Sequence, residues 1–408
     1  MPRRYLIDAE EWIEVLLLHA RAAASDRQYQ LAYDIASKVD DAFAQGTDVS
    51  LQPLGLRDDY TSLVWLAGTT ALWHQGRPAQ AIGMFERYAN AARTPQTRSK
   101  GFYWAGRAAE AAGQRDAANR YYEQARSYYD YFYGQLATER LGLPLTLPSA
   151  SAMPATASAQ AEFNQRELVR AVRMLGELGA WQDQSAFLRA LAESAESETD
   201  HRLAGMMALQ IGRPDLGVMV HRNARVHRFD GFEYGYPIVP LPSSAGRDFA
   251  IAHAIMRQES QFDRRAVSHA GASGLMQLMP GTAAEVSRRN GLSYNQSALT
   301  TDTNYNITLG TSYYRSVYDQ WGNHVLALAS YNAGPGRARQ WIAANGDPRS
   351  PGVDVLRWIE EIPIYETKNY VQRVLENAVM YDLLHPDRSN MRGVQNRLSR
   401  YLGKNTPG

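Results

Sequence analysis

Residues 247–281, RDFAIAHAIMRQESQFDRRAVSHAGASGLMQLMPG, read as a helix, a glycine-punctuated turn and the approach to a second helix. Phe249, Ala252, Ile255 and Met256 recur at helical spacing and make an apolar stripe. Glu259, four residues beyond Ile255, extends that stripe at the helix end. A carboxylate on an apolar face loses hydration, which raises its pKa and favours the protonated form near neutral pH. Such a group is a candidate proton donor. The same spacing also fits a plain helix-end glutamate held by an arginine. The turn that follows carries Ser268, Gly274, the amide of Gln277 and the thioethers of Met276 and Met279. Thr282 with Glu285 three residues on has the pattern of a capping box, which predicts a helix starting there. A chain folded back past Glu259 would bring Ser268 and Gln277 to the carboxylate as hydrogen-bond partners.

Downstream, Ser330-Tyr331-Asn332-Ala333-Gly334-Pro335-Gly336 ends a helix in a sharp reversal, a corner from which Tyr331 and Asn332 can enter a shared cleft. Upstream, residues 1 to about 145 read as helices with little strand character. Trp65-Leu66-Ala67-Gly68, Gly76-Arg77-Pro78-Ala79 and Phe85 are echoed by Trp104-Ala105-Gly106-Arg107, Gly113-Gln114-Arg115-Asp116-Ala117 and Tyr122. Small residues let helices approach and glycine ends them, the logic of a TPR-like solenoid of helix pairs. Two unrelated helical hairpins would give the same marks. Gly212-Arg213-Pro214-Asp215 suggests a third copy of the turn. Leu143 to Ala161, LPLTLPSASAMPATASAQA, reads as a linker or long exposed loop, and Tyr234 to Pro242 as a second break. The predicted organisation is all-α: a helical superhelix over 1–145, a helical linker domain over 146–240, and a chemistry-bearing domain over 241–408.

Composition removes several classes. Lys+Arg at 43 against Asp+Glu at 42 provides no field for nucleic acid. The absence of cysteine excludes thiol nucleophiles, Cys-based zinc sites and disulfides. The 9 histidines are scattered without a metal-ligand spacing, and Walker and dinucleotide fingerprints are missing, so neither metal nor cofactor is expected. No apolar run approaches the ~20 residues of a membrane span. Leu16 to Leu18 is too short for a signal-peptide core, and Glu10, Glu11 and Glu14 stand where basic residues should lead.

Four ordered motifs now combine. Glu259-Ser260-Gln261-Phe262 leads to Ser268 and Gly271-Ala272-Ser273-Gly274-Leu275-Met276-Gln277-Leu278-Met279-Pro280. Asn306-Ile307-Thr308-Leu309-Gly310 and Tyr331-Asn332-Ala333-Gly334-Pro335-Gly336 follow, then Ile362-Pro363 with Glu366-Thr367 and Tyr370-Val371. Together they resemble the signature of the soluble lytic murein transglycosylases, over roughly residues 244–385. The helical N-terminal part is similar more loosely, through Tyr133-Gly134-Gln135-Leu136-Ala137 and Arg140-Leu141-Gly142. The resemblance implies a lysozyme-like catalytic domain that cleaves the β-1,4 bond between N-acetylmuramic acid and N-acetylglucosamine in peptidoglycan, without water. It implies that Glu259 is the single acid/base, and that Ser268 and Tyr331 steady the acid and the reacting sugar. Gln277 and Met279 would contact the glycan, with Glu366 on the cleft wall and Gly274, Asn306 and Asn332 completing the substrate-binding set. Asp263, four residues beyond Glu259, reads as solvated surface.

The implied partners are glycan strands and, beyond them, other cell-wall enzymes; a monomer is expected. The family is exported and its superhelix is usually longer than residues 1–230 allow. The expectation is therefore a periplasmic protein whose chain lacks its natural beginning, with an incomplete helical ring and weaker first helices. Two other readings stay open. A goose-type-lysozyme-like hydrolase would need an acidic residue to activate water. A repeat-built scaffold would bind glycan without turnover, and Trp65, Trp73 and Trp104 could serve it or be core.

Overall fold

The computed structural model describes residues 8–147 and 155–408; of the Pro/Ser/Ala-rich stretch expected as a linker, residues 148–154 lie outside them. The described residues contain no strand beyond two isolated bridges, Val267 with Ser273 and Ser273 with Leu278. No described helix is long and apolar enough to cross a membrane. The chain divides into two compact units, Met1–Leu145 with Asn405–Gly408, and Thr146–Lys404.

In the first unit, helices Ala9–Ser25, Tyr29–Ala36, Leu54–Thr69, Pro78–Ala91, Pro95–Ala111, Arg115–Arg126 and Phe132–Arg140 pack mainly on their chain neighbours. The expected helix pairs are present, and their turns share backbone angles. Gly76 and Gly113 take φ of 63° and 76°. The next residues, Arg77 and Gln114, take ψ of 64° and 68°, and a helix starts at once with Pro78 and Arg115. Gln114 N donates to Ala109 O at 2.8 Å, the six-to-one bond of a Schellman cap. Arg27 with Gln28 makes the same turn without a glycine. The pairs close tightly because a Cβ on Gly68 would lie 2.7 Å from the Phe85 ring, and one on Gly106 2.5 Å from Tyr122. Trp104 is buried and Trp65 and Trp73 half-buried, their rings meeting edge to face. The three indoles therefore form a packed aromatic cluster.

In the second unit the helix Ala157–Gln165 begins inside the stretch expected to be linker, capped by Thr156, whose Oγ1 accepts from Ala159 N. The turn recurs at Gly179-Ala180 before the helix Trp181–Glu193 and at Gly212-Arg213 before Pro214–Val226. The predicted break at 234–242 is packed rather than exposed at its start. Tyr234 and Tyr236 are buried, and Tyr234 covers Gly205, where a Cβ would be 2.3 Å from its ring. Tyr381 Oη donates to Pro237 O at 3.0 Å, and Arg257 Nε to Gly235 O at 2.8 Å. The boundary expected near 240 thus lies inside a stretch bonded to the helices that follow.

The helix Phe249–Glu259 is the axis of this unit and packs chiefly against Tyr365–Leu384. Every residue from Phe249 to Arg257 is buried, so the apolar stripe understated the burial; the helix is enclosed on all sides. His253 within it donates or accepts only to backbone, through Phe249 O, Val239 N and Val239 O, and burial lowers its pKa to about 4.

Candidate active site

Glu259 is the last residue of the buried helix and is itself half-buried, the point where the helix end reaches solvent. Ser260 closes the helix: its Oγ donates to Met256 O and Leu275 O and accepts from Phe262 N. Two successive residues, Gln261 and Phe262, then hold φ of 53° and 70°. Side chains other than glycine's disfavour that region by roughly 1–2 kcal/mol each. Phe262 is buried and anchors the turn.

Burial raises the pKa of Glu259 to about 8; the hydroxyl dipole of Tyr370 opposes the rise and the charge of Glu366 adds to it. The Tyr370 hydroxyl is buried against this carboxyl and makes no hydrogen bond of full geometry, so its help is partial. Tyr331 also bears on Glu259, but its Oη donates to Met276 O at 2.8 Å. The rings of Tyr331 and Tyr370 lie nearly parallel, 6.4 Å apart, and Tyr313 packs on Tyr331 at 5.2 Å. A neutral acid is therefore flanked by tyrosines that stay protonated, since burial raises both Tyr331 and Tyr370 well above 10.

Several expectations need correction. Ser268 is exposed and makes no hydrogen bond to Glu259; its Oγ accepts from Ala272 N, folding the turn on itself. Gln277 turns its amide nitrogen to Ala266 O and Gly274 O at 3.0 and 2.9 Å, so it pins the loop rather than the carboxylate. Asn306 and Gly274 are buried scaffolding. Asn306 Nδ2 donates to Ser273 O and Leu299 O while its Oδ1 accepts from Met276 N. Gly274 has φ +79°, and a Cβ there would lie 2.0 Å from Leu299 O, so no other residue fits. The second helix starts at Pro280 with proline in its first turn and no side-chain cap, leaving Thr282 inside it; the capping-box reading fails.

Other residues reach the surface. Met279 is exposed just before that helix, and Glu366 is exposed in the first turn of Tyr365–Leu384. Asn332, half-buried, accepts a 2.6 Å bond from Thr367 Oγ1 and so ties the Tyr331 corner to that helix. Tyr370 was quoted in the sequence motif without a role; its contact with Glu259 spans 111 positions and carries no local mark. Asp263 is half-buried, and its charge bears on Asp215 rather than on Glu259.

Residues 244–350 match the family model described as Transglycosylase SLT domain. That stretch of the chain is similar to this family. The soluble lytic murein transglycosylase of Salmonella typhimurium is 32% identical over 258 residues, covering 61% of this chain and 38% of the relative. That of Escherichia coli K12 is 40% identical over 142 residues, 34% of this chain and 21% of the relative. The matches thus span about two fifths and one fifth of those relatives. In fold, the 70 kDa soluble lytic transglycosylase of Escherichia coli superposes with a TM-score of 0.58 at 23% identity, over 92% of this chain and 64% of that one. The expected all-α class is the observed one, and the matched residues 244–350 lie inside the second unit.

Proposed function

We propose that this protein is a peptidoglycan lytic transglycosylase acting in the periplasm on glycan strands. What carries the reading is Glu259, a half-buried residue at the end of an enclosed helix, where burial raises its pKa to about 8. Protonated at neutral pH, it would donate to the oxygen linking N-acetylmuramic acid to N-acetylglucosamine. As the muramoyl C6 hydroxyl attacks C1, the same carboxylate takes that proton and a 1,6-anhydro ring closes. Two carboxyl groups are the usual need of a glycosidase because water must be activated separately. An internal hydroxyl removes that need, and its proximity supplies much of the rate.

Tyr370 holds the acid and Tyr331 shapes the wall beside it. Met279, Asn332 and Glu366 are the family-matched residues with surface to offer the glycan, while Ser268 and Gln277 contact it from the loop. The SLT match, and the names of the relatives, support the substrate class. Residues 1–145 would serve as a solenoid domain and 146–240 as a helical linker to the catalytic domain 241–408, the chain working as a monomer.

The test is mass spectrometry of products released from purified sacculi. Muropeptides ending in 1,6-anhydro-muramic acid are expected from the wild type, and Glu259→Gln should lower release by about a thousandfold while keeping the fold. Reducing-end muramic acid would make the enzyme a hydrolase, with Glu366, whose charge reaches Glu259, as the group to examine for water activation.

A further inference from the structure

Arg213 is 1% exposed, and its whole guanidinium is committed. Nε and Nη2 grip Asp215 at 3.0 and 2.7 Å, Nη2 also donates to Ser185 Oγ, and Nη1 donates to Gln184 Oε1 and Trp181 O. Its carbon lies 3.6 Å from the centroid of the Trp181 ring, so that indole, at the first position of its helix, is held from inside the fold. A second guanidinium shares the same ring. Arg265, exposed and six residues after Glu259, lies 4.6 Å from its centroid. The Arg265 backbone N donates to Asp263 Oδ1 at 2.9 Å, and the Asp263 charge reaches Asp215.

One peptide beyond Arg265 lies the hub of the loop. Ala266 O accepts from Gly274 N at 2.8 Å and from Gln277 Nε2 at 3.0 Å. The same loop begins with Gln261 and Phe262 in the left-handed region. Such backbone persists only where its surroundings over-determine it. Ser260 and Phe262 fix one end; Trp181, 84 positions upstream of Arg265, is the outside support for the other.

We propose that Trp181 and Arg265 are positioning residues for the loop that follows Glu259, a cation–π contact through which the helices before residue 240 set the geometry of the site. This rests on the transglycosylase reading for its functional consequence but not for its structural one. Sub-ångström placement governs rate more than binding, so the effect belongs in kcat.

The experiment pairs kinetics on sacculi with hydrogen exchange in the full chain, for Arg265→Ala, Arg265→Lys, Trp181→Phe and the double variant Trp181→Phe with Arg265→Ala. Arg265→Ala should lower kcat roughly tenfold with KM nearly unchanged, and should speed exchange at the Gly274 amide while the amides of Trp181–Glu193 keep their protection. Arg265→Lys, which retains a cation over the ring, should recover most of that protection. In the Trp181→Phe background the loss from Arg265→Ala should shrink, the mark of a shared contact. Unchanged exchange at Gly274, or losses that simply add, would overturn the proposal. If the wild type releases no anhydro products the transglycosylase reading fails, and exchange at Gly274 still decides the contact.

Discussion

The turns at Arg27, Gly76, Gly113, Gly179 and Gly212 each reverse the chain between helices through one residue at φ 61° to 76°, and four of those residues are glycine. Beyond Glu259 it passes through the same region with Gln261 and Phe262, and again with Gln277 at φ 46°. The glycine turns are relaxed, since glycine meets no Cβ penalty there, and at Gly113, Gly179 and Gly212 Schellman bonds satisfy the helix ends. The loop beside the acid is held against its own preferences, by Phe262 in the core, by Ser260 and by the bonds to Ala266 O. Turns that only connect are built cheaply and repeated; the turn that places a carboxyl is strained and occurs once.

The largest expected break in that contrast is at Gly274. Gly274→Ala adds a left-handed penalty to a collision with Leu299 O and Asn306, and should cost about 3 kcal/mol or more in urea unfolding. Gly113→Ala has nearly the same φ and nothing within 4 Å of the new Cβ, so it should cost only about 1 kcal/mol. Equal losses would mean that crowding does not set the loop apart. The smallest effects sharpen the comparison most. Arg27→Gly and Gln261→Gly each remove a left-handed side chain and should stabilise by about 0.5 kcal/mol. Only Gln261→Gly should slow release from sacculi, by several-fold; equal activity of the two would remove the functional meaning of the strain.

The sequence carried these regions unequally. Gly76, Gly113 and Gly212 mark their turns because glycine is nearly obligatory at positive φ. The copies at Arg27 and Gly179 escaped, the first because an arginine there has no signature and the second because Gly179-Ala180 lacks the arginine or glutamine that follows the others. Glu259 was legible from its place on an apolar helix. Its partner was not, because the Tyr370 contact exists only once two distant helices pack. Pattern also marked Asn306 and Gly274 as special without saying which way they face: one spends its amide on backbone and the other admits no side chain. At Thr282 a local rule lost to a stronger one, since Pro280 favours the first helical position and started the helix earlier.

The raised pKa of Glu259 has a stability consequence with a definite sign. The folded state holds this proton more tightly than the unfolded chain, whose carboxyl has its ordinary value of 4.5. The stabilisation is complete below that value and is lost as pH rises through about 8, so wild type should weaken relative to Glu259→Gln across this window. Turnover should fall as pH rises past about 8, where the acid is ionised. The most direct measurement is carbon-13 NMR titration of glutamate-labelled protein, with Glu259→Gln identifying the resonance. A single carboxyl titrating near pH 8 is the predicted result. Titration of that resonance in the ordinary carboxylate range would contradict the account, because Glu259 would then be ionised at neutral pH and have no proton to give.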